Sequence, residues 1–361
     1  MTRPRLQQSL GSIRRDWTLW WHGLAAVNRL YRAFCPLLVF ALSPFLWGTA
    51  LIGSVLLATA VAAADYAFVT NQNGNSLSVI NLESQTEVAR TELPGAPAGV
   101  AVDAARGVFY TVSSGSKVVR KFGMAQAEQQ AEITLDGGPI GIAVSPDGEM
   151  VFVSDWYNAR IWMLHAKGLT LAGTLMTGSA PAGLVVARDG SWLASADRDA
   201  NQISVFDLAS RKLRHRIPAG QRPFGISVGP AGRLFTANVG SDSVTVAHPI
   251  SGEVQATLPV GARPYAISFG AGAGFVTNQY ADTVSVFDLA TLKVTGTIDV
   301  GEYPEGIDTT PDGQTLVVAN WFSNTLSLID AGTASVIAEI ETGDGPRAFG
   351  RFIATGYAEE K

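Results

Sequence analysis

The sequence predicts an all-β fold, a seven-bladed β-propeller of four-stranded antiparallel blades, closed by pairing the C-terminal strand with the N-terminal blade. Two observations predict it. One phrase, "FVTNQYADTVSVFDL" from Phe275 to Leu289 and "FVTNQNGNSLSVINL" from Phe68 to Leu82, recurs at a period of 40 to 42 residues. Within each period four short runs rich in β-branched residues alternate apolar with polar and are separated by Gly, Pro, Asn or Asp, the pattern of successive antiparallel strands.

In chain order, residues 1–64 stand apart as an N-terminal export signal or membrane anchor. Six arginines, Arg3, Arg5, Arg14, Arg15, Arg29 and Arg32, face a single Asp16, and no charged residue occurs from Ala33 to Ala64. The small-residue end "ATAVAAAD" fits cleavage after Ala64, although the apolar region is longer than the roughly 7–15 residues of an ordinary signal. Cleaved or kept, the arginines stay cytoplasmic and the rest is exported. The expected location is therefore periplasmic or extracellular, with the membrane touched only through this segment if it is uncleaved. Arg14-Arg15 lies too far upstream of the apolar run for a twin-arginine signal. Cys35, the only cysteine, is too early to be a lipoprotein acceptor, and the exported part has no disulfide or thiol chemistry. Removing the leader's six basic and one acidic residues leaves 20 basic and 30 acidic. A net charge near −10 disfavours nucleic acid as a partner.

Residues 65–361 carry the repeats. Anchored on the last letter of "FVTN", seven copies fall at Asn71, Ser113, Asp155, Asp197, Asn238, Asn278 and Asn320. Prolines at Pro97, Pro139, Pro181, Pro223, Pro264, Pro304 and Pro346 keep the same spacing, each 26 residues behind its anchor. In the copy at Phe275 the strands read "GFVTN", "TVSVFD", "KVTGTIDV" and "EGIDTT". One such sheet cannot bury both faces, so neighbours stack into a ring with short, protected edges. The exported chain begins on a second strand, "YAFVTN", and ends on "PRAFGRFIA", Pro346 to Ala354, which matches a first strand. The two ends complete one blade, and seven blades close without remainder.

These phrases, "FVTN", "SVIN" or "SVFD", "VG" and "P-x-G-I" at matched phase, resemble the YVTN β-propeller repeat proteins over about 65–354. The resemblance implies an exported binding or surface protein, in some members associated with periplasmic quinoprotein dehydrogenase systems; related propellers include lactonases and amine dehydrogenase large subunits. Fold analogy does not choose among these, so the site must.

A residue that recurs at one repeat position is structural; one that departs from its copies is a candidate for function. Asp155 and Asp197 occupy the Asn71 position, where a short side chain bonds its own turn. His165 and His248 stand at the outward end of third strands and His215 on an outermost strand, away from the channel. A Ser-His-Asp arrangement or a His-ligated metal has no obvious materials. The chain lacks C-x-x-C-H, a G-x-x-x-x-G-K-[ST] loop and the tryptophan-docking repeats of quinoprotein dehydrogenases. No catalytic residue, metal or cofactor is expected.

The copies disagree in the loops around the channel. Trp156, Tyr157, Arg198, Tyr280, Trp321 and Phe322 follow the anchors; Arg222, Phe224, Arg263, Tyr265, Tyr303, Glu305 and Arg347 flank the prolines. They form an arc, whereas the loops at Gln72, Ser114, Ala98 and Ile140 are bland. Aromatic and arginine side chains dominate recognition hot spots. The arc is read as a binding surface for a small anionic or aromatic ligand, or for a periplasmic protein partner. The alternative is that the aromatics plug the channel. Glu305 and Arg347 are expected to pair across it, leaving Arg198, Arg222 and Arg263 for a ligand. Against this binding module stand a lactonase-like hydrolase, which needs a metal or an acid/base pair at the channel, and a surface scaffold.

Overall fold

The computed structural model describes residues 64–357. The expected leader, but for Ala64, lies outside the described residues. Among those described, no helix is long and apolar enough to cross a membrane.

Seven antiparallel sheets follow one another along the chain. We number them blades 1 to 7. Blade 4 shows the plan: Pro181–Val186, Trp192–Asp197, Gln202–Asp207 and Lys212–Pro218 run from the innermost strand outwards. Blades 2, 3, 5, 6 and 7 repeat it over residues 97–134, 139–176, 223–259, 264–299 and 304–341. Second strands such as Trp192–Asp197 are buried along their whole length, because each blade is covered on both faces by its neighbours. The outermost Lys212–Pro218 is largely open to solvent. The core is therefore a set of wedges between blades. In one, Phe68, Phe109 and Phe122 stack in a row with centroids 4.7 and 5.0 Å apart, each side chain contributing roughly 1.5–3 kcal/mol by burial.

The inner strands approach closely, which explains the glycine of P-x-G. A Cβ on Gly183 would lie 2.6 Å from Phe224 O, and one on Gly225 2.2 Å from Tyr265 O, on the next blade. No larger residue fits while the ring stays this tight, and the channel is narrow in consequence.

The anchors are buried, and most do something other than the expected turn bonding. Asn238 Nδ2 donates to Ser243 and Thr245 at 3.1 and 2.9 Å, and Asn320 Nδ2 to Thr325 and Ser327 at 3.0 and 2.9 Å. The amide ties second strand to third. Asp155 alone behaves as expected, accepting from the backbone of Tyr157 and Asn158 in its own turn.

Blade 1 consists of Asp65–Asn71, Ser76–Asn81 and Thr86–Glu92, with Ile353–Thr355 antiparallel to Asp65–Asn71 on the channel side. The C-terminal run is not the single strand its sequence suggests. Phe349–Arg351 pairs parallel with Pro97–Asp103 of blade 2, giving that sheet a fifth strand. Asp308 causes the break at Phe352: its Oδ2 accepts from Phe352 N at 2.8 Å and Ile353 N at 3.0 Å, turning those N–H groups towards blade 7.

Candidate functional site

Because consecutive strands run antiparallel, turns after second strands and turns into inner strands emerge on one face, around the channel mouth. A repeated clamp shapes them. Arg222, Arg263 and Tyr303, each just before a repeat proline, adopt the left-handed region at φ 53°, 56° and 56°. Their backbone N–H groups donate at 2.8 Å to the side-chain oxygens of Asn201, Asp242 and Asp282 in the preceding turns. A side chain in that region costs roughly 1–2 kcal/mol, so the clamp, not the residue's own preference, holds it there.

Trp156, Arg198, Phe224, Arg263, Tyr265, Tyr303, Glu305 and Arg347 line one cavity of about 160 Å³, with Val239 and Gln279. Behind it Phe224, Tyr265 and Phe349 close a triangle with centroids 4.6, 5.0 and 5.5 Å apart. Aromatics thus do plug the channel, but the plug is the floor of a pocket. Tyr157, Arg222, Tyr280, Trp321 and Phe322 are not part of the lining. Tyr157, Tyr280 and Phe322 are 76%, 64% and 59% exposed on the rim. Trp321 packs edge-on against Phe322.

One chain of hydrogen bonds and an ion pair crosses the pocket. Arg347 Nε lies 3.0 Å from Glu305 Oε2, and Arg347 Nη2 donates to the Tyr265 hydroxyl at 2.8 Å. Gln279 Nε2 donates to Glu305 Oε1 at 2.9 Å, while Gln279 Oε1 accepts from Arg263 Nε at 2.9 Å. Arg263 Nη1 donates to the Tyr280 hydroxyl, with its guanidinium 4.6 Å from that ring's centre. The expected Glu305–Arg347 pair is therefore present, but Arg198 is not left free. It pairs with Asp199 beside it and lies over Trp156 at 5.3 Å. Arg222 is exposed and has no side-chain partner among the described residues. Nor is Gln72 bland: its Oε1 accepts from Arg347 Nη1 at 3.0 Å.

Burial sets the protonation states. It pushes the Glu305 carboxyl up, against the pull of the Arg347 charge, and keeps the Tyr265 phenol protonated far above its ordinary range. Burial also works against the Arg347 charge, but Glu305 and Tyr265 outweigh it and hold that guanidinium charged. Three arginines face one carboxylate in the lining, and Arg263 has only neutral side-chain acceptors. The pocket is positive in an acidic protein. Sequence reasoning missed Gln279, Val239 and Phe349. Phe349 carried a signal: its copies are Val100, Ile142, Leu184, Ile226, Ile267 and Ile307, so it is the one aromatic at that position. Among the described residues, no group of three or more His, Cys, Asp or Glu is placed to hold a metal ion.

Solved structures show the same fold. A protein from Desulfotomaculum acetoxidans DSM 771 superposes with a TM-score of 0.69 at 14% identity, over 81% of this chain and 99% of that one. Hydrazine synthase of Kuenenia stuttgartiensis superposes at 0.66 and 18% identity, over 73% and 91%. The dihydro-heme d1 dehydrogenase NirN in complex with DHE reaches 0.61 at 14%, over 80% and 75%. The YncE proteins of Salmonella typhi and Salmonella typhimurium LT2 are each 26% identical over 199 residues, 53% of this chain and 54% of theirs. The chain thus spans about half the length of the curated relatives it matches. The sequence matches the YNCE-like beta-propeller family over residues 48–233 and 260–347, which take in the second strands and inner-strand turns of most blades. The chain belongs to the YNCE-like beta-propeller family.

Proposed function

We propose that this propeller, its repeats of the YVTN type, is an exported, non-catalytic binding module that holds a small monoanion in the channel-face pocket. The observation that carries this is Arg263, a guanidinium bound only to the neutral side chains of Gln279 and Tyr280 at the wall of a 160 Å³ cavity. A cavity of about 150 Å³ holds one benzene, whereas drug-sized ligands need roughly 300–1,000 Å³. The ligand is therefore no larger than one ring or a short acid, recognised through charge and stacking. The hydrolase reading loses ground, because Glu305, the one carboxylate in the lining, is engaged by Arg347 and Gln279. A protein partner remains the second reading, favoured by the exposed rim aromatics Tyr157, Tyr280 and Phe322 with Arg222 among them. A periplasmic location and service to a quinoprotein dehydrogenase system belong to the same proposal.

Benzoate is the probe. Titration followed by calorimetry and tryptophan fluorescence should show saturable benzoate binding, little for neutral benzyl alcohol, and none for benzylammonium. Arg263→Gln should weaken benzoate about tenfold, the effect of losing one charge-assisted contact, and flatten its salt dependence. Equal binding of the three probes, no binding of benzoate, or a wild-type affinity in the variant sinks the small-anion reading.

A further inference from the structure

We propose a second ligand site, in the groove between blades 3 and 4 on the face opposite the channel pocket, for an amphipathic anion: a small molecule with an apolar body and one anionic head. The repeats explain why this groove is open. Fourteen residues after each anchor, in the turn from third to fourth strand, stands a residue with positive φ: Gln85, Ala127, Leu169, Arg211, Gly252, Leu292 and Ala334. Ala127, Leu169, Leu292 and Ala334 pack into the wedge shared with the preceding blade. They are the plugs of those grooves. In blade 4 the plug position holds Arg211, and its side chain stays exposed at the edge of a cavity of about 610 Å³.

The floor of that cavity is apolar, from Met150, Phe152, Met163 and Leu208. Two methionines there give a surface that adapts to its guest. A second departure lies on the rim. Arg188 lines the cavity where the matching turns of blades 3, 5 and 7 place Pro146, Pro230 and Pro311. Neither Arg188 nor Arg211 has a hydrogen-bond or ion-pair partner among the described residues. Three carboxylates share the lining and keep their charge, but their oxygens are tied down: Asp147 accepts from Ser145, Asp189 from Ser191, and Asp207 from Ser210 and the Arg214 guanidinium, which leaves the two arginines as the groups free to meet a head group. Two unspent guanidinium groups over an apolar floor match an anionic head on an apolar body, and the volume lies within the roughly 300–1,000 Å³ of small-molecule sites.

The test uses anilinonaphthalene sulfonate, read by fluorescence, on the folded exported chain. One probe should bind saturably per molecule. Dodecanoate should displace it, and decyltrimethylammonium should not. Arg211→Leu, which installs the residue blades 3 and 6 use as plugs, should abolish binding while the thermal midpoint holds or rises. Arg188→Gln should weaken binding about tenfold, and Arg263→Gln, at the other site, should leave it unchanged. If Arg211→Leu fails to fold, Arg188→Gln decides alone. The proposal is overturned by absent or non-saturable binding, by equal displacement by the cation, by loss in Arg263→Gln, or by wild-type affinity in the blade 4 variants.

Discussion

Asp155 and Asp197 occupy the same repeat position, both fully buried, yet their surroundings push them apart. Asp197 accepts only from neutral donors: Ser195 and Ser204 at 2.6 Å, Gly178 N at 2.8 Å and Gln202 at 3.0 Å. Burial outweighs these and raises its carboxyl. At Asp155 burial also raises, but Gly138 N, Asn158 and Arg160, the last at 2.7 Å, together hold the carboxyl below its ordinary value. Four copies, Asn71, Asn238, Asn278 and Asn320, carry the neutral amide here. Asp197→Asn should therefore stabilise the fold at neutral pH by about 1 kcal/mol. The sign follows from linkage: a carboxyl raised in the folded state weakens the fold as pH rises, so the variant's gain grows with pH and disappears below about 3.9. Asp155→Asn should do the reverse, losing roughly 1–3 kcal/mol, a deficit that fades as pH falls through the depressed folded value. Denaturant midpoints of both variants at neutral and acid pH check this; parallel shifts would refute it.

Among the elements, the C-terminal run is the one whose sequence reads most simply and whose structure is least simple. "PRAFGRFIA" matches the other first strands well enough to predict a continuous strand. What breaks it is Asp308, 44 residues earlier, whose copies are Ala101, Ala143, Val185, Ser227, Ser268 and Gly350. No periodicity reveals which backbone groups a buried carboxylate will claim; that needs the inner strands of blades 7 and 1 side by side. Asp308→Ala should leave two buried N–H groups without an acceptor and cost roughly 2–4 kcal/mol. Asp308→Asn should cost far less, since one oxygen serves both donors. Equilibrium unfolding of the pair measures the difference, and equal losses would mean that Asp308 acts through its charge instead.

At the scale of the molecule, stability is shared round a ring in which each blade covers its neighbours. The pairing of Asp65, Tyr66 and Ala67 with Thr355, Ala354 and Ile353 is where the first and last described strands meet. Deleting residues 346–361 should bare a strand edge and the apolar wedges beside it, lowering the thermal midpoint and producing aggregates visible by light scattering. A shortened chain that unfolds cooperatively near the full-length midpoint would show that the ring does not depend on this contact.

Two periodicities in the sequence determined the seven blades, their strand order and the face that varies, because strand alternation and stacking follow from local pattern alone. They also pointed to Arg263, Tyr265, Glu305 and Arg347, each a departure from its copies. The tertiary structure decided how these residues are used. It joined Gln279 and Gln72, the latter from a loop read as bland, through Glu305 and Arg347 into one network, paired Arg198 with Asp199, placed Phe349 behind the pocket, and left Arg222 exposed. The physical reason is distance: residues as far apart in sequence as Gln72 and Arg347 become neighbours only when the ring closes, and the partner that discharges an arginine is set by that closure rather than by the residues beside it in the chain.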